Sequence, residues 1–320
     1  MNKLLFTFAV IIVSLVAGYA IQQAARQGRV RLDETALVSL RRRSQWLALF
    51  GCIPLSAMLS LWGLPEPEPR LLALPLLGLA SWICGSGLAI ALGRLLRLDR
   101  ARAGSLFCCG AFSNIGAVGS LTCVVFLGES AIALVALYRL FEELFFFGIG
   151  MPVARWYGSG GKPTLRAFRP DPMLGAVIGA LLCGIALNRL GVPRPAVCGI
   201  IASASMVLGT ALLLAAIGMG LRLSSLGAYR REALGVAAIK FVGVPLVVAG
   251  LAWTIGYGAI DGGLPLKTVL IVSAMPVAMN ALMPPSLYGL DLDLANACWI
   301  FSTAALVVVL PALLAITAAL

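Results

Sequence analysis

The stretch Ser273-Ala274-Met275-Pro276-Val277-Ala278-Met279-Asn280 decides how this chain is read. It lies in a run from Thr268 to Leu290 that carries no charge over 23 residues. About 20 apolar residues suffice to cross the hydrocarbon core of a bilayer. Pro276 lacks an amide hydrogen and clashes with the preceding turn, so it breaks or kinks a helix there, and Pro284 and Pro285 follow on the same segment. Backbone freed at membrane depth is tolerated only where protein buries it or water reaches it. A broken helix with Asn280 beside the break is the pattern of a transporter site near the bilayer midplane.

Composition agrees. The chain has 320 residues, of which 61% are hydrophobic and 12% charged, with mean hydropathy +1.00; soluble domains are about a quarter charged. This is an all-α polytopic membrane protein by composition. Histidine is absent, which excludes His-based zinc sites, Ser-His or Cys-His catalysis and a histidine proton relay. The eight cysteines sit in apolar runs without a C-x-x-C pair and read as small buried side chains. No metal site, cofactor motif or enzyme motif emerges, and none is expected.

Charge-poor runs mark ten spans, near 4–25, 44–65, 71–93, 103–128, 130–154, 172–188, 195–221, 233–257, 268–290 and 294–320. The odd-numbered loops between them hold 17 of the 24 basic residues, among them Arg41, Arg42, Arg43, Arg94, Arg97, Arg100, Arg102, Arg155, Arg230 and Arg231. This positive-inside pattern puts the odd loops in the cytosol and both termini outside. The net charge of +11 is therefore topological, and nucleic acid is not an expected partner. With no organelle-targeting segment evident, a bacterial cytoplasmic membrane is the expected location.

Cutting the chain in its basic loop leaves five spans on each side: residues 1–152, a cytosolic linker 153–171, and residues 172–320. The fourth span of the first half contains Ser113-Asn114-Ile115-Gly116-Ala117-Val118-Gly119, and that of the second half contains the Pro276/Asn280 break. Interruptions at matching positions mark a transporter site, and an odd number of spans per half makes the repeat inverted.

These motifs resemble the auxin efflux carrier family. The order Ala274-Met275-Pro276 to Asn280, then Tyr288-Gly289-Leu290-Asp291, then Leu294-Ala295, Ser302-Thr303 and Leu310-Pro311 is similar to the last two spans of its bacterial members, and Asn114, Gly116 and Gly119 to its N-x-G-x-x-G turn. The resemblance implies ten helices in two inverted repeats, with helices 4 and 9 broken and crossing. Helices 1, 2, 6 and 7 would be a scaffold, and helices 3–5 and 8–10 a moving transport domain. It also implies a small organic anion as substrate. Ser120 stands where the family has proline, so the break in helix 4 is expected to rest on Gly116 and Gly119; the pair Pro284-Pro285 is a second departure.

Candidate substrate-binding residues are Asn114, Gly116, Gly119, Pro276 and Asn280. An amide offers two donors and an acceptor to a carboxylate or to freed backbone, and half-helix N-termini favour an anion. Candidates for coupling or charge relay are Arg139, Glu142, Glu143 and Lys240. An isolated charge at the bilayer centre costs about 2.5–3.5 kcal/mol. Arg139 has Glu142 and Glu143 at i+3 and i+4, within pairing reach. One pairing leaves a carboxylate over, and an unpaired buried carboxylate holds its proton more tightly, which suits proton coupling. Lys240 lies about eight residues into the eighth span, where it either snorkels to the interface or acts on an anion inside. The expected function is alternating-access transport of an organic anion driven by a proton gradient or the membrane potential. The alternative is a sodium-coupled symporter or cation/proton antiporter on the same fold, although such sites need carboxylates at the crossing. Gly158 to Pro163 lacks the order of a phosphate loop. Gly175 and Gly179 read as close helix packing inside one chain, with a homodimer seam as the alternative. Membrane lipids complete the expected partners.

Overall fold

The computed structural model describes residues 3–28, 33–63, 69–159, 172–220 and 227–320. The rest, including most of the 153–171 linker with Lys162, and the side chain of Glu143, lie outside the described set. Every described regular element is helical. In chain order they are α1 (Lys3–Arg26), α2 (Glu34–Trp46), α3 (Ile53–Trp62), α4 (Leu74–Leu95), α5 (Arg100–Ala111), α6 (Ser120–Leu127), α7 (Ser130–Tyr138), α8 (Glu142–Phe145), α9 (Met151–Gly158), α10 (Pro172–Arg189), α11 (Val197–Gly218), α12 (Arg230–Ala238), α13 (Val244–Thr254), α14 (Leu264–Ser273), α15 (Met283–Tyr288) and α16 (Leu292–Ala319). Wide π turns at Leu47–Cys52, Ile115–Gly119, Phe146–Gly150 and Ile239–Gly243 lie within or beside these helices. Such turns are often found at functional sites.

Among the described residues, six stretches are long and apolar enough to cross a membrane: Leu5–Arg26, Thr35–Trp62, Pro69–Leu95, Val197–Gly218, Arg230–Thr254 and Leu292–Ala319. The protein is thus a helical, multi-pass membrane protein. The segments expected near 103–128, 130–154 and 268–290 are each built from shorter helices, because Phe112–Asn114, Arg139–Phe141 and Ala274–Ala278 leave the helical path.

The chain forms two compact units from interleaved segments. Unit 1 comprises Met1–Pro67, Gly116–Ala136 and Asp171–Arg222. Its helices meet backbone to backbone. A Cβ at Gly18 would lie 2.0 Å from the Ala215 carbonyl oxygen, and one at Gly218 would lie 2.2 Å from that of Leu15. Small residues let helices approach this closely in lipid, where packing and polar contacts replace the hydrophobic drive. Ser56 Oγ donates to the Ala202 carbonyl at 2.7 Å. Two cross-links secure α6: Lys3 Nζ donates to the Phe126 carbonyl at 2.8 Å, and Glu129, just beyond α6, pairs with Arg194. Among the described residues, a Cβ added to Gly175 or Gly179 of α10 would meet nothing within 4 Å, so the close packing expected of them inside the chain is not made by those residues.

Unit 2 comprises Glu68–Ile115, Leu137–Pro170 and Leu223–Leu320. Helices α4 and α5 touch through Gly85 and Gly110. A Cβ on Gly85 would lie 2.2 Å from the Gly110 carbonyl oxygen, and one on Gly110 2.3 Å from Ala89 Cβ. One end of the unit is closed by a polar clasp around Asp291. That carboxylate caps α16 by accepting from the Leu294 amide at 2.9 Å. It also accepts from Tyr229 Oη at 2.9 Å and lies 3.5 Å from Arg102 Nε. Burial, then the Asp291 carboxylate, raises the Tyr229 hydroxyl above the usual tyrosine range. Arg100 stacks on Trp156 at 4.7 Å and donates to its carbonyl. The Tyr288-Gly289-Leu290-Asp291 motif is thus structural. Gly289 takes φ +65° to end α15, Leu290 packs where a Cβ on Gly104 would fall, and Asp291 starts the next helix.

Candidate functional site

Helix α5 ends at Phe112, whose φ and ψ of −98° and 124° are extended. Helix α14 ends at Ala274, and the chain is extended again at Ala278, with φ −75° and ψ 152°. The two extended pieces pair as an antiparallel bridge between Ser113 and Val277. The Asn114 amide donates to the Pro276 carbonyl at 2.8 Å, and the Ala278 amide donates to the Phe112 carbonyl at 3.0 Å. The Val277 amide, pointing the other way, donates to Ser302 Oγ of α16 at 3.1 Å. Each break thereby satisfies polar groups that the other sets free, as buried backbone requires.

Lys240 reaches the same place from the π turn after α12. It is 1% exposed. Its ammonium donates to the Gly110 carbonyl at 2.7 Å and to Ser113 Oγ at 2.9 Å. Among the described residues no carboxylate pairs with it. The alternative of snorkelling to the interface is set aside by this geometry. The lysine caps the C-terminal, electronegative end of α5 and grips the bridge residue.

Asn280 sits on the single 3-10 turn Met279–Leu282 that follows the second extended piece. Its Oδ1 is buried without a hydrogen-bond partner among the described residues, as are Trp299 Nε1 and Thr303 Oγ1 on α16, which packs against that turn. Buried polar atoms without protein partners call for a ligand or water. The pair Pro284-Pro285, a departure from the family pattern, opens α15. Proline is tolerated in the first turn because its missing amide hydrogen has no partner there.

Asn114 and Pro276 are therefore joined directly, Lys240 is joined to them through Ser113, and Asn280 lies just beyond the bridge, on the turn that follows Ala278. Gly116 and Gly119 are elsewhere in role. Both fall in the π turn Ile115–Gly119, and neither is among the glycines with positive φ; Gly119 has φ −63° and ψ −49°. The break they were expected to carry lies upstream, at Phe112–Asn114. Arg139 pairs with Glu142, which is 6% exposed, across the turn that interrupts the fifth segment. That segment meets the first break through aromatic rings, with Phe146 4.8 Å and Phe145 6.3 Å from Phe112. Nothing in its local sequence marks Gly110, and Ser302 is marked only as part of the Ser302-Thr303 motif; the approach of distant segments gives both their roles.

A separate groove of about 1190 Å³ lies inside unit 1 between α1, α6 and α11. Its lining is apolar except for Ser14, Ser203 and Glu129, and Glu129 is already paired. Val13 and Ile200 on its walls are 64% and 73% exposed, as on a lipid-facing surface.

No protein-family model matches this chain. Over 241 residues it is 23% identical to a protein of Methanothermobacter thermautotrophicus described as an uncharacterized transporter, a match covering 75% of this chain and 77% of that protein. Together with the helical membrane fold, this similarity supports a transporter rather than an enzyme.

Proposed function

We propose that the chain is a secondary active transporter that carries a small organic anion, a carboxylate, across the cytoplasmic membrane by alternating access. The observation that carries this reading is the bridge between Ser113 and Val277 with Lys240 bonded beside it. Two broken helices meeting in the membrane are the substrate-site design of secondary carriers, and a buried cation there favours an anion. Grouped across their π turns and breaks, the helices make ten passes: α1, α2 with α3, α4, α5 with α6, α7 to α9, α10, α11, α12 with α13, α14 with α15, and α16. On this reading they form two inverted repeats, residues 1–152 and 172–320, in the manner of the auxin efflux carriers. Passes 1, 2, 6 and 7 are the scaffold and the others the transport domain. Both termini lie outside the cell, following the arginine-rich odd loops.

The substrate carboxylate sits beside Asn280 and accepts from Trp299 Nε1 and Thr303 Oγ1, donors without a partner among the described residues, while Asn280 Oδ1, an acceptor in the same state, takes a hydroxyl of the substrate or a water. Asn114 and Pro276 hold the backbone that shapes the site. Glu142 is held by Arg139, which leaves Glu143 as the carboxylate for coupling to protons.

Uptake of labelled malonate, malate, succinate, lactate and an indole-carboxylate into proteoliposomes tests the reading. The expected result is uptake of one acid, faster with an imposed pH gradient and lowered at least tenfold, about 1.4 kcal/mol, by Asn280→Ala. Uptake of none of the acids by folded, reconstituted protein overturns the organic-anion assignment. Undiminished dependence on the pH gradient in Glu143→Gln discards the proton coupling.

A further inference from the structure

Where a membrane helix is broken, freed carbonyls and half-helix C-termini coordinate the coupling sodium ion or proton of many carriers. Here the corresponding acceptors are the Gly110 carbonyl at the end of α5 and the Ser113 hydroxyl at the start of the extended piece. Both are bonded to one ammonium, at 2.7 and 2.9 Å. We infer that Lys240 is a tethered countercation, holding at this crossing the place that a free monovalent cation would take, so that the site works without sodium and accepts sodium once the lysine is neutralised.

The surroundings fit a fixed charge. A carbonyl and a hydroxyl are hard oxygen acceptors that suit an alkali cation as well as an ammonium. The aligned peptides of α5 place a partial negative charge at Gly110. The ionisable side chains beside Lys240 are the thiols of Cys84 on α4 and Cys109 on α5, and among the described residues no carboxylate pairs with it. Gly85 and Gly110 bring α4 and α5 into backbone contact beside the carbonyl that Lys240 grips. A buried charge this far from water is costly unless its partners are built in, and here they belong to the bridge itself. The inference deepens the reading of the crossing as a transport site and rests on it.

The test is thermal unfolding of the full-length protein in detergent, in chlorides of sodium, lithium, potassium, methylammonium and choline at equal ionic strength. Wild type is expected to melt at the same temperature in all five. Lys240→Ala and Lys240→Gln are expected to melt lower in choline and to recover saturably in sodium or methylammonium. The expected rise is about 2 °C at ten times the dissociation constant. Lys240→Arg, which keeps the charge, is expected to show no cation preference. Saturable stabilisation of the wild type by sodium overturns the inference. So does a neutral variant with no cation preference, and so does failure of both neutral variants to fold in any of the salts. The readout is cation binding rather than uptake, so a protein that carries none of the acids in the uptake panel still passes or fails this test on its own.

Discussion

The two helix breaks meet in one bridge and are made in different ways. The second is enforced: Pro276 denies the helix a donor, the backbone stays extended through Ala278, and a 3-10 turn restarts it. The first is held from outside. No proline lies between Arg100 and Gly119, and α5 stops at Phe112 where the second break supplies hydrogen bonds and Lys240 supplies a cap. Helix structure then resumes in a π turn whose glycines keep right-handed geometry. One break is therefore written locally, and the other depends on partners about 130 and 160 residues away. A crossing built this way has one stiff and one persuadable half.

That contrast can be broken most severely at Ala278. Its φ of −75° already suits proline, so Ala278→Pro leaves the second break intact while removing the donor to Phe112 and crowding its carbonyl. We expect a loss of about 3 kcal/mol in stability, the upper end of the cost of a buried acceptor left unpaired, read as a fall in melting temperature, with the first break lost and the second retained. Next comes Gly110→Ala. Its Cβ would lie 2.6 Å from the Gly85 carbonyl oxygen as well as against Ala89, so overpacking of about 2–3 kcal/mol is expected, together with weakened Lys240 capping. Ser302→Ala strands the Val277 amide, at about 1–2 kcal/mol, and loosens the stiffer break alone. Its melting temperature should fall less than that of Gly110→Ala, and a larger fall would show that the second break leans on its partners too. The smallest effect is expected at Gly116→Ala. That glycine is partly exposed and not in the left-handed region, so alanine should leave stability unchanged or raise it by under about 1 kcal/mol. Loss of uptake at unchanged melting temperature would instead mark Gly116 as a residue that must move.

The contrast also explains what could be read from the sequence. The second break was legible because proline acts on its own neighbours, and Asn280 followed from its place beside it. The membrane class was legible from composition. The first break was read too late in the chain, at Gly116 and Gly119, because its cause lies in Phe112's distant partners and glycine only permits a break. Lys240 stood out as a charge in an apolar run, but its direction did not, since a long flexible side chain reaches either an interface or a core. The π turns were not legible at all, having no residue signature in this chain. The place of Pro284-Pro285 was not legible, because proline's effect depends on whether it falls in the first turn of a helix or its middle.

The contact between α1 and α11 has a consequence for how the chain is made. Gly18 must wait for Ala215, about 200 residues later. At roughly 5–20 residues per second, the ribosome takes about 10–40 seconds to deliver that partner. Through this interval α1 resides in the bilayer without the neighbour against which Gly18 packs. Its lack of any charge between Leu4 and Ala25 suits a segment that must be stable in lipid alone. The break at Phe112–Asn114 waits in the same way for Ala274–Ala278, about 160 residues later, but as extended backbone it has backbone polar groups to satisfy in the meantime, where α1 has none.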